Sequence, residues 1–211
     1  MDLKYFEKVR IFDGGMGQEL LSKGLISKGT LWSASALIEK EFHKLVIDAH
    51  ISYINAGADI IVTNNFSARK IRFIQNKVLD KFQYANEQAG ILANKAREIS
   101  KQYILIAGSL PSQSDTYVED ERSSSEIQSD FEEQAKIISS YVDFFYLDVV
   151  SSGREIEIAS NIVEKLGKKV VVGIHLKKNC KLPSGEGVQN IIEKFKCNSW
   201  IGLVFACVSP E

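Results

Sequence analysis

The chain has 211 residues, 45% of them hydrophobic and 25% charged, and 26 basic side chains against 27 acidic ones leave a net charge of −1. This is the composition of a globular protein able to build one substantial core, and its interspersed charges give no electrostatic footprint for nucleic acid. The opening "MDLKYFEKVRIF" places charges where a signal peptide needs an apolar stretch, and no run approaches the roughly 20 apolar residues of a membrane span. A cytoplasmic protein with a small-molecule or protein partner is therefore expected, engaging neither nucleic acid nor membrane. Cys180, Cys197 and Cys207 are odd in number and widely spaced, so they read as free thiols in a reducing compartment.

Along the chain, short runs rich in Val, Ile and Phe alternate with longer amphipathic stretches, the pattern of repeated βα units feeding a parallel sheet. The expected strands are "VRIFDGG" (9–15), "DIIVTNNF" (59–66), "YILIAGS" (103–109), "DFFYLDVV" (143–150), "KVVVGIHL" (169–176) and "WIGLVFAC" (200–207). "QELLSKG" reads as helical after the first of them. The clearest helix is "EFHKLVIDAHISYINAG" (41–57), where Phe42, Leu45, Val46, Ala49, Tyr53 and Ala56 form one apolar stripe. Gly57 falls where a helix C-cap is expected. Further helices are expected over 83–100, 125–140, 154–166 and 185–196. "GSLPSQSDTYVEDERSSSE" (108–126) is polar and turn-rich, and reads as a long loop after the third strand, on the face where α/β folds place binding residues. One domain spanning 1–211 is expected, as no Gly/Ser linker divides the chain. Periodicity leaves two architectures open, a doubly wound sheet and part of a (β/α)8 barrel, whose usual length is about 250 residues.

Several residues stand where chemistry is done. Asp13 ends the first strand at the "DGG" turn, where a carboxylate can meet a substrate ammonium group; the glycines lack the spacing of a dinucleotide or P-loop motif. Asp148 lies among Phe144, Phe145, Leu147 and Val149, so its charge must find solvent, a cation or a donor. His43 and His50 sit seven residues apart, not at the i, i+4 spacing of helix-borne zinc ligands, and read as a surface and a groove residue. Cys207, at the end of the last strand, is either a small buried hydrophobe or a ligand.

"FDGGMGQEL", "LWSASALIE" and "HISYINAGADIIVTNNF", in this order and spacing, resemble the homocysteine S-methyltransferase family, and the resemblance continues through "AGSLPSQSDTY", "SSGREIEIA" and "LPSGEGV" to "CVSPE". It implies a (β/α)8 TIM barrel, of which about the first six βα units are present. It also implies an enzyme that transfers a methyl group from a small-molecule donor to homocysteine, giving methionine. The implied cofactor is zinc, held by three cysteines, which binds homocysteine as its thiolate; a free thiol, with a pKa of about 8.5, is mostly protonated at neutral pH. By position Cys207 matches the first zinc cysteine, Asp13 the acid of the "DGG" turn that helps hold the amino acid, and Asp148 the carboxylate that binds the homocysteine amino group. No residue is singled out as catalytic.

The sequence departs from that pattern in ways that carry expectations. Ala206 stands where the family has asparagine, and Asp148–Val149 where it has Glu-Thr, shortening the carboxylate by one methylene. The paired cysteines that supply the other two zinc ligands are absent from these residues. Ten near-extended residues put Cys197 about 30 Å from Cys207, leaving Cys180 with His175 as the other donors to weigh. A C-terminally truncated barrel is expected to self-associate or to be closed by a complementing C-terminal segment. The alternative to an enzyme is a zinc-less relative without activity, a degenerate product or an interaction module.

Overall fold

The computed structural model describes residues 3–208, so Ser209, Pro210 and Glu211 of the "CVSPE" motif lie outside the described residues. The helices are α1 (Met16–Ser22), α2 (Ser35–Ile38), α3 (His43–Asn55), α4 (Lys70–Gln75), α5 (Phe82–Ser100), α6 (Ser124–Ile138), α7 (Gly153–Lys165) and α8 (Val188–Phe195). The strands are β1 (Ile60–Val62), β2 (Leu105–Pro111), β3 (Phe144–Val150), β4 (Val170–Ile174) and β5 (Trp200–Phe205). They belong to two compact units, one of residues 1–109 with 137–143, the other of 110–136 with 144–211.

In the first unit, Phe12 makes a single parallel bridge to Ile60, and β1 then pairs in parallel with the start of β2, Ile60 opposite Leu105 and Val62 opposite Ala107. The expected strand at 9–15 is thus one bridged residue, with Val9 and Ile11 exposed. An apolar run reports hydrophobicity, not whether a backbone partner lies alongside it. β1 is short because Asn65 N–H turns back to the Thr63 carbonyl at 2.8 Å and the Thr63 hydroxyl bonds the Asn65 amide at 2.7 Å. Side-chain bonding of this kind competes with the ladder.

α3 buries Val46, Ala49, His50 and Ile54, while Ala56 of the expected stripe is exposed and Tyr53 half-buried. The inward face is rotated toward His50. Gly57, at φ +103°, closes the helix as a Schellman cap, its N–H on the Ile54 carbonyl and the Ala58 N–H on the Tyr53 carbonyl, both at 3.0 Å. α5 presents Phe82, Ala85, Ala89, Leu92, Ala93 and Ala96 inward. Asp143 then staples β2, its carboxylate accepting from Ile106 N–H at 2.7 Å and from Arg97 at 2.9 Å.

In the second unit β3 pairs with β4 and β4 with β5, all parallel and in chain order. In each unit every parallel strand lies beside its predecessor in sequence, which is how a singly wound barrel is built. All residues of β4 are buried, as are Phe144, Phe145, Leu147, Val149 and Val150 of β3; β5 is half-buried and ends in exposed Phe205. α7 covers this sheet with Ile156, Ala159, Ile162 and Val163 and begins at a well-formed cap. The Ser152 hydroxyl faces Glu155 N–H at 3.3 Å, and the Glu155 carboxylate takes the Ser151 N–H at 3.0 Å, a variant of the capping box.

Candidate functional site

Three of the residues singled out in the sequence meet in the second unit, at the C-terminal ends of its strands. β3 gains an extra residue against β4 between Leu147 and Val150, and Val149 takes φ +63°. Bulges of this type turn a side chain out of the strand's alternation, and Asp148, inside this one, is half-buried rather than packed in the core. Past β5, Ala206 N–H still bonds the Ile174 carbonyl at 2.9 Å, and Cys207 follows at φ +53°, exposed. The loop after β2 brings in Tyr117, itself at φ +69°. Its ring packs on that of His175 with centroids 4.6 Å apart. His175 Nδ1 lies 3.4 Å from the Ala206 carbonyl.

Tyr117 ties these groups together. A hydrogen bond with Cys207, burial, and the charges of Cys207 and Asp148 push its phenol up to about 12, so it is protonated at neutral pH. Three non-glycine residues in the left-handed region, at roughly 1–2 kcal/mol each, converge on one cluster, a concentration of strain typical of functional sites.

Behind the cluster stands a buried polar layer. The Glu155 side chain is fully buried; burial pushes its carboxyl up, against hydrogen bonds from Ser112, Ser151 N–H and Ser152. Asp120, 2% exposed, is pushed up by burial, yet its hydrogen bonds with Arg122, the Arg122 charge and the Ser114 hydroxyl outweigh that and hold it below the usual carboxylate range. Arg122 also bonds Asp130 of α6 at 2.7 Å, and its guanidinium is held protonated by these partners. Composition and periodicity do not single out Glu155, Asp120 or Arg122; the "SSGRE" spacing of a capping box was the one available signal, pointing to Glu155.

Asp13 belongs to the first unit and has a different setting. Its side chain is 2% exposed, and Oδ2 accepts the Val62 N–H at 2.9 Å. His50 Nδ1 lies 4.0 Å away, beyond hydrogen-bond distance. Burial pushes the His50 imidazole down to about 3, so the ring is neutral at physiological pH. The groove position expected for His50 is a fully buried one. His43 is half-buried, its Nε2 3.0 Å from the Leu37 carbonyl and its ring stacked on Tyr84.

Among the described residues no set of three His, Cys, Asp or Glu side chains is arranged to hold a metal, and this covers Cys180, His175 and Cys207. A catalytic zinc takes three protein ligands. Cys207 alone would offer at most one, so the described residues do not by themselves fit a zinc site. Cys180 is exposed in a turn at φ +58°, and Cys197 sits before β5 with its sulfur 2.9 Å from the Ser199 hydroxyl.

A parallel α/β fold wound in strand order, with carboxylate, thiol, phenol and imidazole gathered at the strands' C-terminal ends, is the architecture of barrel enzymes. The model of the family "Homocysteine S-methyltransferase" matches residues 10–211, and the chain belongs to that family. The homocysteine S-methyltransferase of Escherichia coli K12 is 30% identical over 93 residues, which are 44% of this chain and 29% of that protein. Homocysteine S-methyltransferase 1 of Zea mays is 36% identical over 64 residues, 30% of this chain and 19% of that protein. These alignments thus span less than a third of the curated relatives. In structure, the metallated homocysteine methyltransferase MmuM from Escherichia coli superimposes with a TM-score of 0.85 at 20% identity, over 98% of this chain and 77% of its own. Its apo form gives 0.74 over 97% and 75%. The fold is accordingly the TIM-barrel type of this family. No described helix is long and apolar enough to cross a membrane.

Proposed function

We propose that this chain carries the homocysteine-binding part of a homocysteine S-methyltransferase, which moves a methyl group from a small-molecule donor to homocysteine in methionine synthesis. The homocysteine sulfur, having released its proton to solvent, attacks the donor's methyl carbon; the new S–C bond forms as the carbon–heteroatom bond breaks, and its electron pair stays on the departing donor.

The observation that carries this reading is the convergence of Asp148, Tyr117, His175 and Cys207 at the C-terminal strand ends of the family fold. Asp148 is the carboxylate for the homocysteine ammonium group; being one methylene shorter than glutamate, it relies on the bulge for its reach. Asp13 ties the "DGG" turn to Val62. Cys207 is a metal thiolate in this reading, and zinc is the metal the resemblance implies. The described residues do not complete a zinc site. The free thiols support a cytoplasmic setting.

The test is methionine formation from homocysteine and a sulfonium or ammonium methyl donor, with wild-type protein and Cys207→Ser. Methionine formed by the wild type and lost in Cys207→Ser supports the assignment. Equal turnover in both removes Cys207 from the reaction, and no methionine with any donor class contradicts the proposed activity.

A further inference from the structure

The loop after β2 is fastened at both ends by polar groups that none of the binding roles above uses. At its start the Gln113 amide donates to Gln134 of α6 at 2.9 Å and the Ser112 hydroxyl to the Val149 carbonyl at 3.4 Å. At its end Asp120, almost fully buried, forms a hub. Arg122 grips both its carboxylate oxygens, Nε to Oδ1 at 3.0 Å and Nη2 to Oδ2 at 2.7 Å, and reaches Asp130 with Nη1 at 2.7 Å. The Ser114 hydroxyl bonds the same carboxylate from the loop's other side, and Arg154 of α7 donates to the Asp120 carbonyl. Residues 115–119 are therefore a short arch closed on Asp120, with Tyr117 on it.

A bidentate arginine–carboxylate pair is among the most directional contacts available to a protein, and a partly buried one resists solvent screening. Tyr117, by contrast, is 45% exposed and in a conformation that costs energy in an L residue. Its contacts are the His175 ring and the Cys207 thiol, whereas the hub fastens the arch's ends to α6 and α7.

We propose that Arg122 is a positioning residue: by clamping Asp120 to Asp130 it holds the 115–119 arch over the strand ends, so that Tyr117 engages the Cys207 thiol and screens what reaches it. This rests on the reading of Cys207 as part of the substrate end, and adds to it the group that governs access.

The three cysteines supply the test. Iodoacetamide alkylation of the full chain, followed residue by residue by mass spectrometry, gives a rate for each thiol. In Arg122→Gln the Cys207 rate rises by about fivefold, the shift expected from losing a hydrogen bond of ordinary strength, while Cys180 and Cys197 keep theirs. Tyr117→Ala gives the same rise, and the double variant is no faster than Tyr117→Ala, because both act through one contact. Asp130→Asn, which weakens one arm only, gives a smaller rise at Cys207 alone. An unchanged Cys207 rate in Arg122→Gln or in Tyr117→Ala overturns the proposal, as does a double variant showing the product of the two single effects. Acceleration of all three thiols in both Arg122→Gln and Asp130→Asn would show a merely structural residue and overturn it too. The alkylation pattern needs no homocysteine, so a chain that shows it but forms no methionine refutes the proposed function and leaves the clamp standing.

Discussion

Asp13 and Asp148 look equivalent in the sequence, each a carboxylate at the end of an apolar run. The two units give them opposite surroundings. In the first, Asp13 is buried against the Val62 N–H with a neutral imidazole near it. In the second, Asp148 is turned out by a bulge beside an exposed thiol and a strained tyrosine. The lesson is that position at a strand end licenses a carboxylate but does not assign it: local register decides whether it holds the backbone or faces a ligand.

That contrast is sharpest in stability. Asp13→Ala orphans the part-buried Val62 N–H, at a cost of about 1 kcal/mol or more, whereas Asp148→Ala stays within about 0.5 kcal/mol. Urea unfolding of both variants checks this, and equal losses would erase the distinction.

The pH dependence belongs to the first unit. The unfolded chain protonates His50 near 6.5, but the folded ring, held to about 3, does not. Between those values the unfolded state binds more protons, so stability falls as pH falls. From pH 6.5 to 5 the loss is about 1.6 kcal/mol, and His50→Gln removes that part of the slope. A slope the same with and without His50 would mean the ring is not kept neutral by folding.

A smaller effect is expected at α7. Ser152→Ala removes the cap and about 1 kcal/mol, with Glu155 left short of one donor. Thermal unfolding reads it, and no change in midpoint would show that the Ser112 hydroxyl and the Ser151 N–H satisfy the carboxylate without Ser152.

Much of the fold is legible in the sequence because its elements obey their periods. α5, α6, α7 and α8 fall within a few residues of the expected ranges, and β2 to β5 lie where the apolar runs put them. The exceptions are physical. The run around Phe12 lacks a ladder beyond one bridge, and β2 runs on through Pro111, which a strand end tolerates because its missing N–H is not needed there. The site is legible in part. Cys207 and Asp148 carried signals as a thiol and a carboxylate at strand ends. Tyr117 lies in the loop expected on the binding face, but neither it nor Arg122 carries a role there, because their significance comes from a loop closed by contacts with α6 and α7, and no local period encodes such closure.

Asp148 is the ligand-facing carboxylate of the proposed site, and calorimetric titration of homocysteine into wild type, Asp148→Asn and Asp13→Asn tests this role most directly. Losing a charge-assisted contact in Asp148→Asn should weaken binding by about tenfold or more, with a smaller change in Asp13→Asn. Wild-type affinity in Asp148→Asn, or a larger loss in Asp13→Asn, would contradict it.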